Sequence, residues 1–143
     1  AQLGRPARNV IGIAARCVCG KPTVVSTKPR LDDGTPFPTF YYLTHPAATA
    51  AISTLEAEGL MPELAELIDD SYLRAHESYI ADRESIEVVA EIEGISAGGM
   101  PTRVKCLHAL AGHALAAGPG VNLIGDRALE LCAWSPEVCE CVD

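Results

Sequence analysis

The feature that most constrains this chain is a change of hydrophobic period near residue 45. Before it come short runs rich in Val, Ile, Thr and Tyr; after it, apolar residues recur three and four positions apart. Residues 9–16, with Val10, Ile11 and Ile13, suit a strand, and residues 22–27 read as a second one. Asp32-Asp33-Gly34 marks a turn. Residues 37–44 make a third strand, with Pro38 confining its start to an edge or entry position. From residue 46 the pattern is helical. Thr44 is a plausible N-cap, Pro46 sits where its missing N–H costs little, and Ala48, Ile52 and Leu55 give the apolar spacing up to Gly59. Further helices are expected over 63–68, over 72–83 behind an Asp70 or Ser71 cap, over 86–92 and over 103–117, with a short one near 126–133. Strands first and helices after favour an α+β fold over an alternating parallel one. The expected architecture is one domain: a small three-stranded sheet from residues 9–44 packed against several helices in 46–133, then a cysteine-containing tail over 134–143.

A chain of 143 residues can bury a core without covalent staples. Its 48% hydrophobic and 5% aromatic content implies a core of Ala, Leu, Val and Ile. A net charge of −8 argues against nonspecific binding to nucleic acid or an anionic membrane surface. The apolar runs fall far short of the roughly 20 residues a membrane span needs. Residues 1–6 show no charged-then-apolar signal pattern, so a cytoplasmic location is expected. In that compartment Cys17, Cys19, Cys106, Cys132, Cys139 and Cys141 read as metal ligands or working thiols rather than disulfides.

Cys17-Val18-Cys19-Gly20 follows the first strand. Extended backbone points the two thiols the same way, and the glycine allows a compact knuckle. The spacing is shorter than the Cys-x-x-Cys of most zinc knuckles, but Arg16 and Lys21 favour the thiolate. A pair of small buried residues at a turn is the alternative. His45 closes the third strand, where it can approach Cys17 or act only as a cap. In Lys105-Cys106-Leu107-His108, with His113 five residues on, Cys106 and His113 share one face of a regular helix. His108 lies elsewhere unless the helix is just starting. One histidine would join Cys106 on a metal and the other would act as acid or base; the alternative makes both polar members of an Ala/Leu helix.

Gly98-Gly99-Met100-Pro101 enters that helix, and backbone N–H groups there, with Gly99, Arg103 and Lys105, suit an anion. An ordinary Gly-Pro turn with solvated basic residues is the competing explanation. His76, Tyr79 and Arg83 form a stripe that either faces the site or lies on an exposed helix face. In the tail, Cys139-Glu140-Cys141 mirrors the first Cys-x-Cys pair. Joining the two pairs would give a four-thiolate zinc clamp between the chain ends, ranked below a mixed Cys/His site because tails are often mobile.

Several motifs resemble, in order, a bacterial family catalogued as domain of unknown function number 501. They are Leu3-Gly4-Arg5-Pro6, Arg16-Cys17, Pro36-Phe37-Pro38-Thr39, Tyr42-Leu43-Thr44 with Pro46, Leu55-Glu56, Val104-Lys105-Cys106-Leu107-His108, and Asn122 with Ile124-Gly125. The resemblance implies small cytoplasmic proteins linked to cell division or phosphate metabolism, with no assigned reaction. It also implies cysteine in many relatives where this chain has His45, an exchange natural at a zinc site. Three thiolates would instead suit an iron–sulfur cluster with one open iron.

The expected function is therefore metal binding, zinc preferred, with Cys17, His45 and Cys106 as core ligands and Cys19 or His113 completing the set. His108 or His113 would move protons while Gly99, Arg103 and Lys105 hold a small anionic substrate undergoing hydrolysis. The rivals are an iron–sulfur or dithiol redox and sulfur-transfer protein, and a noncatalytic regulatory or scaffold domain with a protein partner.

Overall fold

A computed structural model gives the fold and describes residues 9–139. Strands β1 (Val10–Arg16), β2 (Pro22–Thr27) and β3 (Tyr41–Leu43) form one antiparallel sheet in the order β1-β2-β3. Helices α1 (Pro46–Ala57), α2 (Met61–Ala65), α3 (Asp70–Glu84), α4 (Leu107–Ala117) and α5 (Leu123–Leu131) follow, with a 3-10 turn at Ala90–Ile92. Strands precede helices throughout, which is the expected α+β order. No helix among the described residues is long and apolar enough to cross a membrane.

β2 is the middle strand, so both of its edges are paired and Thr23, Val24, Val25 and Thr27 are buried. β1 is an edge strand and leaves Val10, Ile11 and Ile13 exposed. The two are joined by a tight turn in which Gly20 donates to the Cys17 carbonyl and Cys17 to that of Lys21, each at 2.8 Å. Gly20 takes φ +93, a conformation side chains rarely adopt.

Several elements differ from expectation. β3 is shorter than residues 37–44, because Pro36 and Pro38 cannot donate to a ladder and Phe37 donates instead to the Pro29 carbonyl at 2.8 Å. Its successor α1 is capped by His45 rather than Thr44: the His45 Nδ1 accepts from Ala48 at 3.4 Å, while the Thr44 N–H is committed to Thr23 in β2 at 2.9 Å. Residues 86–92 form only the 3-10 turn, and their β-branched run leaves Ile86 and Val88 exposed. α5 starts at Leu123 because the Asn122 Oδ1 accepts from Gly125 at 2.9 Å.

The largest difference concerns α4, which starts at Leu107 and not near residue 103. Gly98 and Gly99, both at positive φ, fold residues 98–106 back on themselves. The Gly98 carbonyl accepts from Lys105 at 2.8 Å and that of Gly99 from Arg103 at 2.9 Å. Tyr72 of α3 donates its hydroxyl to the Arg103 carbonyl at 2.7 Å, fixing this loop from outside.

α4 is the central helix. Leu107, Ala109, Leu110, Ala111, Gly112, His113 and Ala114 are all buried, and the helix touches all three strands, α1 and α5. Small residues permit this crowding. A Cβ on Gly112 would stand 3.3 Å from the Tyr41 carbonyl oxygen of β3, and one on Gly125 of α5 would collide with the Leu110 carbonyl. The stripe on α3 is structural, with the Tyr79 ring 5.1 Å from that of His113 on α4. Arg83, 1% exposed, donates to the carbonyls of Pro38 and Ile92 at 3.0 Å each, and the Tyr79 hydroxyl accepts from the Tyr41 N–H at 3.1 Å.

Replacing Gly125 with Ala is expected to cost about 2–3 kcal/mol by overpacking, read as a lower denaturation midpoint in urea. Gly112→Ala should stay within about 1 kcal/mol of the wild type, since the helix propensity gained offsets a milder contact.

Candidate metal-binding clusters

The start of α4 creates the first cluster. Cys106 is the N-cap residue and its side chain makes no capping bond, so the first helical N–H groups need acceptors from elsewhere. Glu56, in the last turn of α1, supplies one: its Oε2 accepts from the Leu107 N–H at 2.9 Å. Its Oε1 lies 3.3 Å from the His108 Nδ1. A Glu56 oxygen, the Cys106 sulfur and a His108 ring nitrogen all lie within 4.8 Å of one another, and all three residues are half-buried.

His108 is oriented from behind. Its Nε2 lies 3.2 Å from the Thr49 carbonyl and 3.0 Å from the Ser53 hydroxyl, both on α1. A carbonyl can only accept, so Nε2 carries the proton and Nδ1 faces Glu56. The hydrogen bond from His108 holds the Cys106 thiol below its ordinary value, against the opposing effect of burial. Reciprocally, Cys106 first and Glu56 after it raise His108 above the usual imidazole range.

The second cluster joins distant parts of the chain. Cys17, buried, and Cys19, exposed, sit in the β1–β2 turn, and the exposed Cys139 completes a trio whose sulfurs lie within 4.8 Å of one another. The segment after α5 returns to this turn because Trp134 is buried, its ring 5.3 Å from that of His45, and because Val18 donates to the Pro136 carbonyl at 3.0 Å. Arg16 reaches over the turn to donate to the Gly20 carbonyl at 2.7 Å.

With this arrangement in view, comparison with known proteins adds one fact: residues 13–130 match the family described as Protein of unknown function (DUF501). The chain belongs to that family. No curated protein and no solved structure matches it. Within the span shared with the DUF501 family lie Glu56, Cys106 and His108, together with Cys17 and Cys19; Cys139 lies beyond it.

The expected set of Cys17, His45 and Cys106 is not brought together. His45 caps the first turn of α1, and Cys106 meets Glu56 in the last, about 16 Å along the helix. Among the described residues, Cys17 and Cys106 therefore fall in separate clusters. His113, expected as a ligand or proton carrier, is wholly buried and belongs to the core. Its Nδ1 accepts from the Asn122 side-chain amide at 3.1 Å, and its ring stacks at 5.8 Å on that of Tyr41. Gly99, Arg103 and Lys105 lie before α4 rather than at its N-terminus, and loop carbonyls occupy the N–H groups of Arg103 and Lys105. The two basic side chains themselves are exposed. Cys132 approaches the Leu129 and Trp134 carbonyls at 3.2 Å and joins neither trio. Cys141 lies outside the described residues. Glu56 was not anticipated as a ligand; the usable signal was a helix start whose own residue, Cys106, is a poor cap.

Burial pushes His113 down to about 4. The unfolded chain then takes up a proton that the folded one refuses, so this contribution is complete above about pH 6.5 and is lost as pH falls toward 4. The expected loss is about 3 kcal/mol of unfolding free energy. A His113→Gln variant, less stable at pH 7, should show a correspondingly shallower decline between pH 7 and 4 by urea denaturation.

Proposed function

We propose that this protein binds a zinc ion on Glu56, Cys106 and His108 and uses it to hydrolyse a small anionic substrate. The observation that carries the reading is the fixed ring of His108. A metal-bound histidine usually donates its other ring N–H to a carbonyl or carboxylate, which sets the tautomer and aims the lone pair. Thr49 plays that part here, and Nδ1 is aimed toward Glu56. Thiolate, imidazole and carboxylate are all zinc donors, whereas an iron–sulfur centre asks for several thiolates. Three protein ligands would leave one position open, and zinc held there would supply activation of water. Partial exposure of the three residues lets a substrate approach. Arg103 and Lys105, exposed on the preceding loop, would attract its negative charge. His108 and Glu56 are both committed as ligands in this reading, and the second Glu56 oxygen holds the Leu107 N–H, so proton transfer would fall to solvent.

A second reading rests on the lowered Cys106 thiol. A thiol lowered by a neighbouring histidine is a better nucleophile; Cys106 would then attack an acyl carbon of the substrate without a metal, expel a leaving group that takes the proton from His108, and be released by water.

One experiment separates the two. Metal-stripped protein is titrated with zinc while the alkylation of Cys106 by iodoacetamide is followed. Zinc should slow alkylation at least tenfold, and Cys106→Ser and His108→Ala should each lose about one equivalent of bound zinc. Unchanged zinc binding in both variants, with alkylation indifferent to zinc, overturns the metal reading in favour of the nucleophile.

A further inference from the structure

We propose a second, separate metal site on Cys17, Cys19 and Cys139, of the thiolate class that selects zinc, which fastens the segment after α5 to the β1–β2 turn. Three sulfurs bound to one zinc at 2.3 Å stand about 3.8 Å apart in a tetrahedral arrangement. The three sulfurs here already lie within 4.8 Å of one another, so small side-chain rotations suffice. Two of the thiols are held by a turn of defined geometry: Cys17 is 3% exposed, both its backbone N–H and its carbonyl are bonded across the turn, and Gly20 closes it at φ +93. The third arrives because the burial of Trp134 and the bond from Val18 to Pro136 steer the chain there. The guanidinium of Arg16, bonded to the Gly20 carbonyl, places a positive charge on the same turn.

The site differs from the Glu56–Cys106–His108 cluster in chemistry and consequence. Soft thiolates suit a structural zinc ion, whose fourth ligand the three cysteines do not supply. Binding would close a loop of more than a hundred residues between Cys19 and Cys139, and its free energy adds to that of the folded state. The chain's single tryptophan, Trp134, sits five residues before Cys139 against His45 and reports whether the segment is docked.

The test uses the full chain carrying Cys106→Ser, so that the first cluster contributes nothing. Cobalt added to metal-stripped protein under reducing conditions should give intense near-ultraviolet thiolate-to-metal bands at about one equivalent, displaced by zinc. Adding Cys19→Ser or Cys139→Ser, both at exposed positions that should leave folding intact, should weaken zinc binding at least tenfold and remove most of that absorption. Chelation should shift Trp134 emission to the red, and zinc should reverse the shift. Cobalt spectra and zinc affinity unchanged by Cys139→Ser would overturn the proposal. So would a visible iron–sulfur band in anaerobically prepared protein that Cys139→Ser abolishes, since the ion would then not be zinc.

Discussion

Helix α4 runs through the middle of the molecule because backbone meets backbone on two of its sides. At Gly112 it approaches the Tyr41 carbonyl of β3, and at Leu110 its own carbonyl faces Gly125 of α5. Side chains of ordinary size would hold helix axes roughly 8–10 Å apart. The missing Cβ atoms remove that spacing and let an Ala- and Gly-rich helix be buried on nearly every side. The sheet, α1 and α5 are placed around this helix, and the Glu56–Cys106–His108 cluster inherits its geometry from that placement.

The first cluster follows most directly. A helix that must begin inside the packed layer cannot leave its first N–H groups to water, and Cys106 does not cap them. Glu56 meets the need from the end of α1, and its negative charge is favoured at the positive end of α4. Drawing that carboxylate in also brings it against His108, which α1 orients through Thr49 and Ser53. A structural requirement at a helix terminus thus assembles a mixed oxygen, nitrogen and sulfur donor set. The second cluster has a different origin: a rigid turn offers two thiols, and a docked tryptophan returns the late segment of the chain to them. His45 lies between these worlds as a cap and as the surface on which Trp134 packs.

Much of the fold was legible from local pattern. β2 occupies the residues its β-branched run marks out, and α1 begins at Pro46 and is followed by Gly59 at positive φ as its caps indicate. The misreadings share a cause. Pro36 and Pro38 cut β3 short, and Gly98 and Gly99 postponed α4 by four residues, because loops gain hydrogen bonds within themselves that no periodicity reveals. The displaced start of α4 had the larger effect. It moved Cys106 to a cap position, swung it from the side of His113 to that of His108, and took Arg103 and Lys105 off the helix.

The sequence by itself determined the α+β order, the chain's place in its family and the residue types able to bind metal, because these rest on local propensity and on chemistry each residue carries alone. Only the tertiary structure decided how those residues group. Ligand sets depend on which helix ends and turns meet across fifty residues of chain or more, as Glu56 meets Cys106 and Cys17 meets Cys139. Those meetings are set by close packing around α4 and by the burial of Trp134, and neither leaves a periodic trace in the chain.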